Sequence, residues 1–368
     1  MINGSKVNIY VFGAGASKHV GAPLTNDFLS KGFSLRPFPD AYEVSEEKFR
    51  MVAQLIDRLY GSKLEKYAED ARRRIWGPDS IPPVNIEDLL SFVKLALRRG
   101  ETWLAFGNFE EALHEFIFTT LEQTTMSYYS DSCKRHEDGT LDHRRNCYDK
   151  LIDYIIHVGE TNCMISFNYD LFLDQAVSIN NHNILGDYNI EFAGVENFAG
   201  YRRLLSKQRK KGDVDLLKLH GSLNWARCPQ CQRLFLAYFR EYRHIFSQSC
   251  SLCGNDQLFP VLVPPTLLKE KEIDIPELVG IWNRAEHLLE RTDNLTIIGY
   301  SFPDADLEAK WLFKRAIARN QGTPSLTLVE PDPAVRQKVL DFLGNFFQEN
   351  ISFFSTFEQY CERMIQNK

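Results

Sequence analysis

Residues Val7-Asn8-Ile9-Tyr10-Val11-Phe12 run apolar and β-rich into Gly13-Ala14-Gly15-Ala16-Ser17. The run has the composition of a strand buried on both faces of a parallel sheet. The break that follows carries neither proline nor charge. Its two glycines let the backbone turn sharply and let a ligand come where a side chain would block it. A helix starting at Ser17 would aim its unpaired N–H groups over the turn, a place that suits a pyrophosphate. The third glycine of the dinucleotide fingerprint is missing, because Ser17 and Lys18 follow. A tight strand-to-helix turn with no ligand therefore stays open at this point.

The same grammar recurs later in the chain. Asn162–Asp170, Asp215–Gly221, Leu295–Ser301 and Leu326–Val329 are each apolar runs that end in polar or glycine residues. Helical patterns follow at Leu171–Val177, at about Asp304–Ala318, and from Asp332-Pro333 to about Phe347, where Asp332 is the N-cap and Pro333 sits at N1. Ile351–Phe354 reads as a last strand before a helix capped by Thr356 and Gln359. Strands each followed by a helix describe an α/β fold with a doubly wound parallel sheet, whose ligands sit beyond the carboxyl ends of the strands. Those ends carry Gly13/Gly15, Asn168/Asp170, His220, Gly299/Ser301 and Glu330.

Between the first strand and the rest lies a helical block, roughly residues 40–158. A helix from Ser45 places Phe49, Val52, Leu55/Ile56 and Leu59 on one face and stops at Gly61. Asn85 with Asp88, and Asn108 with Glu111, have the spacing of capping boxes ahead of two further apolar stripes. A polar stretch from Tyr128 to Asn146 separates these from a helix over 147–158.

With 368 residues, 44% apolar and 25% charged, the chain is long enough for one large domain with an insertion, or for two domains. A net charge of −6 argues against nucleic-acid binding by bulk electrostatics. No apolar run reaches membrane-spanning length and no leader pattern precedes the first strand, so a cytoplasmic location is expected. The eight cysteines are then expected to be thiols or metal ligands rather than disulfides.

Cys228-x2-Cys231-x18-Cys250-x2-Cys253 is the strongest single motif. Two knuckles with two thiolates each suit a ribbon around tetrahedral Zn²⁺, and four thiolates leave no open position, so that zinc is structural. Cys133, His136, His143 and Cys147 also have a ligand-like layout in a polar loop. His220 reads either as a strand-end histidine satisfied by backbone or as a base able to take a ribose hydroxyl proton. Asn168 and Asp170 read either as a helix cap or as groups that orient a water and hold ribose hydroxyls. Gln208-Arg209-Lys210-Lys211 is a short basic run that reads as a solvated loop rather than a nucleic-acid patch.

Taken in order, these motifs resemble the sirtuin-like family. The match runs through Gly13-Ala-Gly15-Ala-Ser17…Gly21-Ala-Pro23, Ser166-Phe167-Asn168-Tyr169-Asp170, His220-Gly221, the four-cysteine ribbon, Gly299-Tyr300-Ser301 and Glu330. The resemblance implies a Rossmann-like NAD-binding domain over 1–39 and 159–368, with the zinc ribbon at 225–262 inside it and the helical insertion at 40–158. It implies cleavage of the nicotinamide–ribose bond of NAD⁺ as substrate, with Asn168, Asp170 and His220 catalytic. Gly13, Ala14, Gly15, Ser17, Thr25, Asn168, Asp170, Gly299, Ser301 and Glu330 would hold the nucleotide. Glu330 is placed toward the adenosine ribose.

The departures separate this chain from the deacylating members. Leu24-Thr25-Asn26-Asp27-Phe28 supplies no arginine after Pro23, and Phe259-Pro260-Val261-Leu262-Val263-Pro264-Pro265-Thr266 puts prolines where an acyl-lysine peptide would pair. The forms Leu219-His220-Gly221-Ser222-Leu223-Asn224-Trp225 and Ile297-Ile298-Gly299-Tyr300-Ser301-Phe302-Pro303-Asp304 resemble the bacterial branch associated with anti-phage defence. The expectation is an NAD⁺ glycohydrolase gated by homo-oligomerisation or by a co-encoded DNA-translocating ATPase. An NAD-dependent deacylase and a non-catalytic NAD or ADP-ribose sensor are the alternatives.

Overall fold

The strands in chain order are β1 (Val7–Phe12), β2 (Cys133–Arg135), β3 (Leu141–His143), β4 (Thr161–Ser166), β5 (Asp215–Lys218), β6 (Gly221–Arg227), β7 (Leu234–Leu236), β8 (Phe259–Leu262), β9 (Asn294–Ile298), β10 (Ser325–Val329) and β11 (Ile351–Phe354). The helices are α1 (Phe28–Ser34), α2 (Glu46–Tyr60), α3 (Ile86–Arg98), α4 (Phe106–Ser132), α5 (Cys147–Ile155), α6 (Phe172–Asn180), α7 (Pro276–Leu289), α8 (Leu307–Ala318), α9 (Pro333–Leu343) and α10 (Phe357–Gln366). This computed structural model describes residues 6–35, 46–62, 64, 84–102, 106–135, 141–143, 145–156, 160–180, 188–193, 214–236, 249–263, 275–347 and 350–366. The basic run 208–211 and the pair Pro264-Pro265 lie outside the described residues.

β1 is central in a six-stranded parallel sheet of order β11-β10-β9-β1-β4-β5. Counted along the chain and read from the β5 edge, the order is 3-2-1-4-5-6, the doubly wound arrangement whose crevice opens where the order reverses. Here that crevice lies between β1 and β9.

Alternation along the strands sends residues to two cores. Ile9, Val11, Ile165, Leu217, Leu295 and Ile297 pack against α7, α8 and α9 on one face. Tyr10, Phe12, Met164, Leu216, Ile298 and Val329 pack against α5, α6 and α10 on the other. A third core joins α2, α3 and α4 to α1 and to the β6–β7–β8 sheet through Phe33, Leu90, Phe116, Phe235 and Leu258. The helical segment therefore divides in its packing: α2, α3 and α4 meet the small sheet, while α5 covers the parallel one.

Four local expectations change. The glycine turn leads into a 3-10 segment over Ala14–Val20, closed by left-handed Gly21, in place of an α-helix starting at Ser17. α4 begins at Phe106, so Asn108 lies inside its first turn and not ahead of it. Asn85 does cap α3, but it accepts from the Glu87 N–H and forms no box with Asp88. The capping box that does form joins Asn146 and Asp149 at the start of α5, which ends at Ile155.

Candidate active site and four-cysteine cluster

The carboxyl ends of β1, β4, β5 and β9 surround a cavity of about 670 Å³. Gly13, Ala14, Gly15, Ser17, Thr25, Asn168, Asp170, His220, Gly299, Ser301 and Glu330 all line it. Residues from five separate stretches of sequence thus meet in one place, at the switch point where such sheets bind ligands.

The glycines set the contact between the two central strand ends. A Cβ on Gly13 would lie 2.6 Å from the Gly299 carbonyl oxygen, and one on Gly15 would lie 2.8 Å from the Gly299 Cα. Gly299 has φ +60°, and its own Cβ would meet the Ala16 nitrogen at 2.3 Å. The Gly15 N–H donates to the Gly299 carbonyl oxygen at 3.0 Å. Two glycine turns therefore interlock and form the cavity floor.

Above that floor, Ser17, Asn168, Asp170 and Tyr148 form one buried network. Asn168 Nδ2 donates to the Gly13 carbonyl oxygen at 2.9 Å and to Ser17 Oγ at 3.2 Å. Ser17 Oγ donates to Asp170 Oδ2 at 2.7 Å and lies 2.7 Å from Tyr148 Oη. With the single serine proton given to Asp170, Tyr148 is the donor in that last contact. Asp170 Oδ1 accepts from the Phe172 N–H at 3.3 Å, at the start of α6. Burial raises the Asp170 carboxyl above its ordinary value, against the pull of Lys218 and the Ser17 hydrogen bond. Burial also pushes the Tyr148 phenol well up.

His220 lies in the turn after β5, buried, with its Nε2 3.1 Å from Asp306 Oδ1. Asp306 also accepts from Tyr300 Oη at 2.8 Å. Phe167 stacks on Tyr300 with centroids 4.1 Å apart, and its ring meets the imidazole at 5.0 Å and 72°. Left-handed Gly221 (φ +82°) follows, and the His220 carbonyl oxygen accepts from the Val263 N–H at 2.8 Å. At the far rim, burial raises the Glu330 carboxyl, and its Oε1 accepts from the Asp332 N–H at 3.0 Å.

Two participants carry no motif and were missed by sequence reasoning, and the wall residues of the helical block were not individually identified. Asp306 stands just before α8, and no spacing rule ties it to a histidine 86 positions earlier. Tyr148 sits in the first turn of α5. Ile86, Glu87, Ile117 and Leu121 of α3 and α4 wall the cavity from the helical segment. One signal was available. Lys218 interrupts the apolar run Leu216-Leu217-Lys218-Leu219, and a buried ammonium must find partners. It pairs with Asp174 at 2.9 Å and donates to the Asp170 carbonyl oxygen at 2.5 Å, which ties β5 to the start of α6.

The antiparallel sheet of order β7-β6-β8 carries the four cysteines. The sulfurs of Cys228, Cys231, Cys250 and Cys253 all lie within 4.8 Å of one another, with Cys228–Cys253 at 3.5 Å and Cys231–Cys250 at 3.6 Å. Tetrahedral zinc with bonds of about 2.3 Å needs thiolate sulfurs roughly 3.8 Å apart, so the donor set fits. The two knuckles share one geometry. In each, the residue after the second cysteine is left-handed: Gln232 (φ +63°) and Gly254 (φ +74°). Their N–H groups donate to the carbonyl oxygens of Cys228 (3.0 Å) and Cys250 (2.7 Å).

The second ligand-like set does not come into view as a unit. Cys133 and His143 are register partners across β2 and β3, but His136 and the side chains of Cys133 and His143 lie outside the described residues. Cys147 lies beside His19, its N–H donating to His19 Nε2 at 3.4 Å.

A family model described as a SIR2-like domain matches residues 162–347, half of the chain, and the protein belongs to that family. Among solved structures, a Sir2 homologue in complex with ADP-ribose is 14% identical, with a TM-score of 0.40 over 98% of this chain and 91% of that one. A structure titled for sirtuin substrate affinity is 13% identical, at 0.42 over 99% and 95%. A Sir2 complex with a peptide and NAD⁺ is 12% identical, at 0.40 over 99% and 94%. No curated protein matches the chain. The assignment of a doubly wound sheet rests on the strand order itself. Among the described residues, no helix is long and apolar enough to cross a membrane.

Proposed function

We propose that the protein is an NAD⁺ glycohydrolase. Water and NAD⁺ would give nicotinamide, ADP-ribose and a proton. The bond between the ribose anomeric carbon and the nicotinamide nitrogen breaks, its electron pair leaves with nicotinamide, and the water oxygen bonds to that carbon. The observation that carries this reading is the meeting of Asn168, His220 and the glycine turn around one cavity at the sheet's switch point. Membership of the SIR2-like family supports it.

In this reading the diphosphate lies over Ala14 and Gly15, and the adenosine half runs toward Ser301 and Glu330. Asn168 spends its NH₂ on Gly13 and Ser17, which leaves Oδ1 for a water or for the nicotinamide carboxamide. Asp170 acts through Ser17, which it holds by a hydrogen bond, and so positions Asn168. His220 takes a ribose proton, and Asp306 orients the imidazole and stabilises the cation it becomes. An oxocarbenium-like transition state needs dipolar and anionic surroundings more than a strong nucleophile.

The helical segment, which we treat as an insertion over 40–158, covers the groove through Ile86, Glu87, Ile117 and Leu121. That cover favours water over an acyl-lysine peptide as the acceptor. We assign zinc a structural role in the ribbon. By resemblance the activity is a gated effector of anti-phage defence, with homo-oligomerisation or a co-encoded DNA-translocating ATPase as the gate.

The test is incubation of the purified chain with NAD⁺ alone, following nicotinamide and ADP-ribose, beside His220→Ala and Asn168→Ala. Turnover without an acyl peptide, lost in both variants, supports hydrolysis. Turnover only with an acetylated peptide makes the protein a deacylase. NAD⁺ binding with no turnover in either case, with or without the partner, makes it a sensor.

A further inference from the structure

A second cluster of donor atoms lies at the rim of the cavity, built from residues that the reading above does not use. His19 comes from the 3-10 turn after the glycines, Cys147 is the first residue of α5, and Glu358 lies in the first turn of α10. One imidazole nitrogen, one thiol sulfur and one carboxylate oxygen all fall within 4.8 Å of one another. We propose that His19, Cys147 and Glu358 bind a thiophilic divalent cation, zinc in the first instance, at a site separate from the four-cysteine ribbon.

The imidazole is already set for the task. His19 Nδ1 lies 2.8 Å from the Ala16 carbonyl oxygen, to which only a protonated Nδ1 can donate. That hydrogen bond fixes the tautomer and turns the Nε2 lone pair toward Cys147, whose N–H donates to it at 3.4 Å, a long hydrogen bond that a metal ion on Nε2 would replace. A backbone carbonyl on the remote nitrogen is the usual outer support of a metal-bound histidine. The ring is also held in place. It meets Phe357 edge-on at 5.7 Å and 89°, and the Tyr148 ring at 5.6 Å. Cys361 Sγ donates to the Cys147 carbonyl oxygen at 3.4 Å, fastening α10 to α5 beside the cluster.

The chemistry of the donors selects the ion. A thiolate with an imidazole suits zinc and its neighbours, whereas magnesium and calcium take oxygen alone. Zinc bonds of roughly 2.0–2.3 Å place ligand atoms about 3.3–3.8 Å apart, a spacing that small side-chain rotations here would reach. Three protein ligands leave a fourth position, the arrangement of zinc sites that take an exogenous ligand. His19 and Glu358 line the cavity, so an anionic oxygen that supplied the fourth ligand would come from there. Bound in this way, the ion would cross-link three segments far apart in sequence: the glycine turn, α5 and α10.

Metal stoichiometry tests the proposal directly. The full-length chain, stripped with chelator, is titrated with Zn²⁺ and then with Co²⁺, whose near-ultraviolet band reports thiolate ligation. Two equivalents per chain are expected, with one remaining in Cys147→Ser and in His19→Ala. Glu358→Gln, a mild change on the half-buried edge, should weaken the second equivalent at least about tenfold. One equivalent in the native chain, lost only with ribbon cysteines, would overturn the site. Two undiminished equivalents in Cys147→Ser, or an unchanged second affinity in Glu358→Gln, would overturn it as well, because the second ion would then lie elsewhere.

Discussion

His220 and Asp306 face each other across the base of the cavity, imidazole Nε2 to carboxylate Oδ1 at 3.1 Å, and both are buried. The histidine leaves β5 and the aspartate precedes α8, so the pair ties an outer strand of one half of the sheet to the crossover of the other. Tyr300, stacked on Phe167, holds the second carboxylate oxygen. The carboxylate is thereby fixed before any ligand arrives, which is the arrangement expected of an orienting group.

Asp306→Asn should therefore leave nucleotide binding intact and lower the NAD⁺ cleavage rate by about 10²–10⁴-fold, the range seen when a histidine loses its orienting carboxylate. The check is kcat against the dissociation constant of ADP-ribose. A fall confined to binding would place Asp306 outside the catalytic relay.

Gly299 should not tolerate a side chain. It combines φ +60° with an Ala16 nitrogen 2.3 Å from where its Cβ would sit, so Gly299→Ala must strain the turn and push the two glycine loops apart. A loss of about 2 kcal/mol or more is expected. Gly280, exposed on α7 with no atom within 4 Å of its would-be Cβ, is the control. Gly280→Ala should stabilise by about 0.5–1 kcal/mol. Denaturant midpoints of the two variants should move in opposite directions, and equal shifts would contradict the interlocked-turn account.

How much of this could be read beforehand divides along physical lines. The six strands of the sheet were legible because each is an apolar run broken by glycine or polar residues, and parallel strands buried on both faces have that composition. Asp332 and Pro333 marked the start of α9 for the same local reason, and Asp332 does accept from the Ala334 N–H at 2.8 Å. Asn108 misled because the residues before it were themselves helical, so a good cap residue was overridden by its surroundings. Asp306 and Tyr148 were not legible at all, nor were the particular residues by which α3 and α4 wall the cavity. Their roles arise only from which elements the topology brings together, and a single sequence holds no periodicity that records it.

Asp170 should impose a pH dependence on stability. Its folded carboxyl titrates above the unfolded value because burial penalises the charge. The folded chain then binds the proton more tightly, so the contribution is fully present below about pH 4 and is lost as pH rises through the folded pKa. Asp170→Asn keeps an oxygen for the Ser17 hydroxyl and removes the titration. Unfolding free energies measured by denaturant from pH 4 upward should fall less steeply in the variant than in the native chain. Parallel curves would show that Asp170 is not the group responsible.

The four-cysteine ribbon should act through stability and not through the reacting atoms. Cys228 and Cys250 are buried in the same core as Phe235, Leu258 and the helices α2, α3 and α4, so a metal held by the four cysteines would support the helical wall as well as its own small sheet. Cys250→Ser breaks one knuckle and leaves three thiolates, which should release one equivalent of zinc and cost several kcal/mol, since closed zinc sites contribute folding energy outright. The melting temperature of Cys250→Ser should drop by several degrees, with loosened protection of amides in β6 and α4 by hydrogen exchange. Loss of zinc with unchanged protection in α4 would show that the wall stands without the ribbon. In that case the shared core, not the metal, is what holds the helical wall over the cavity.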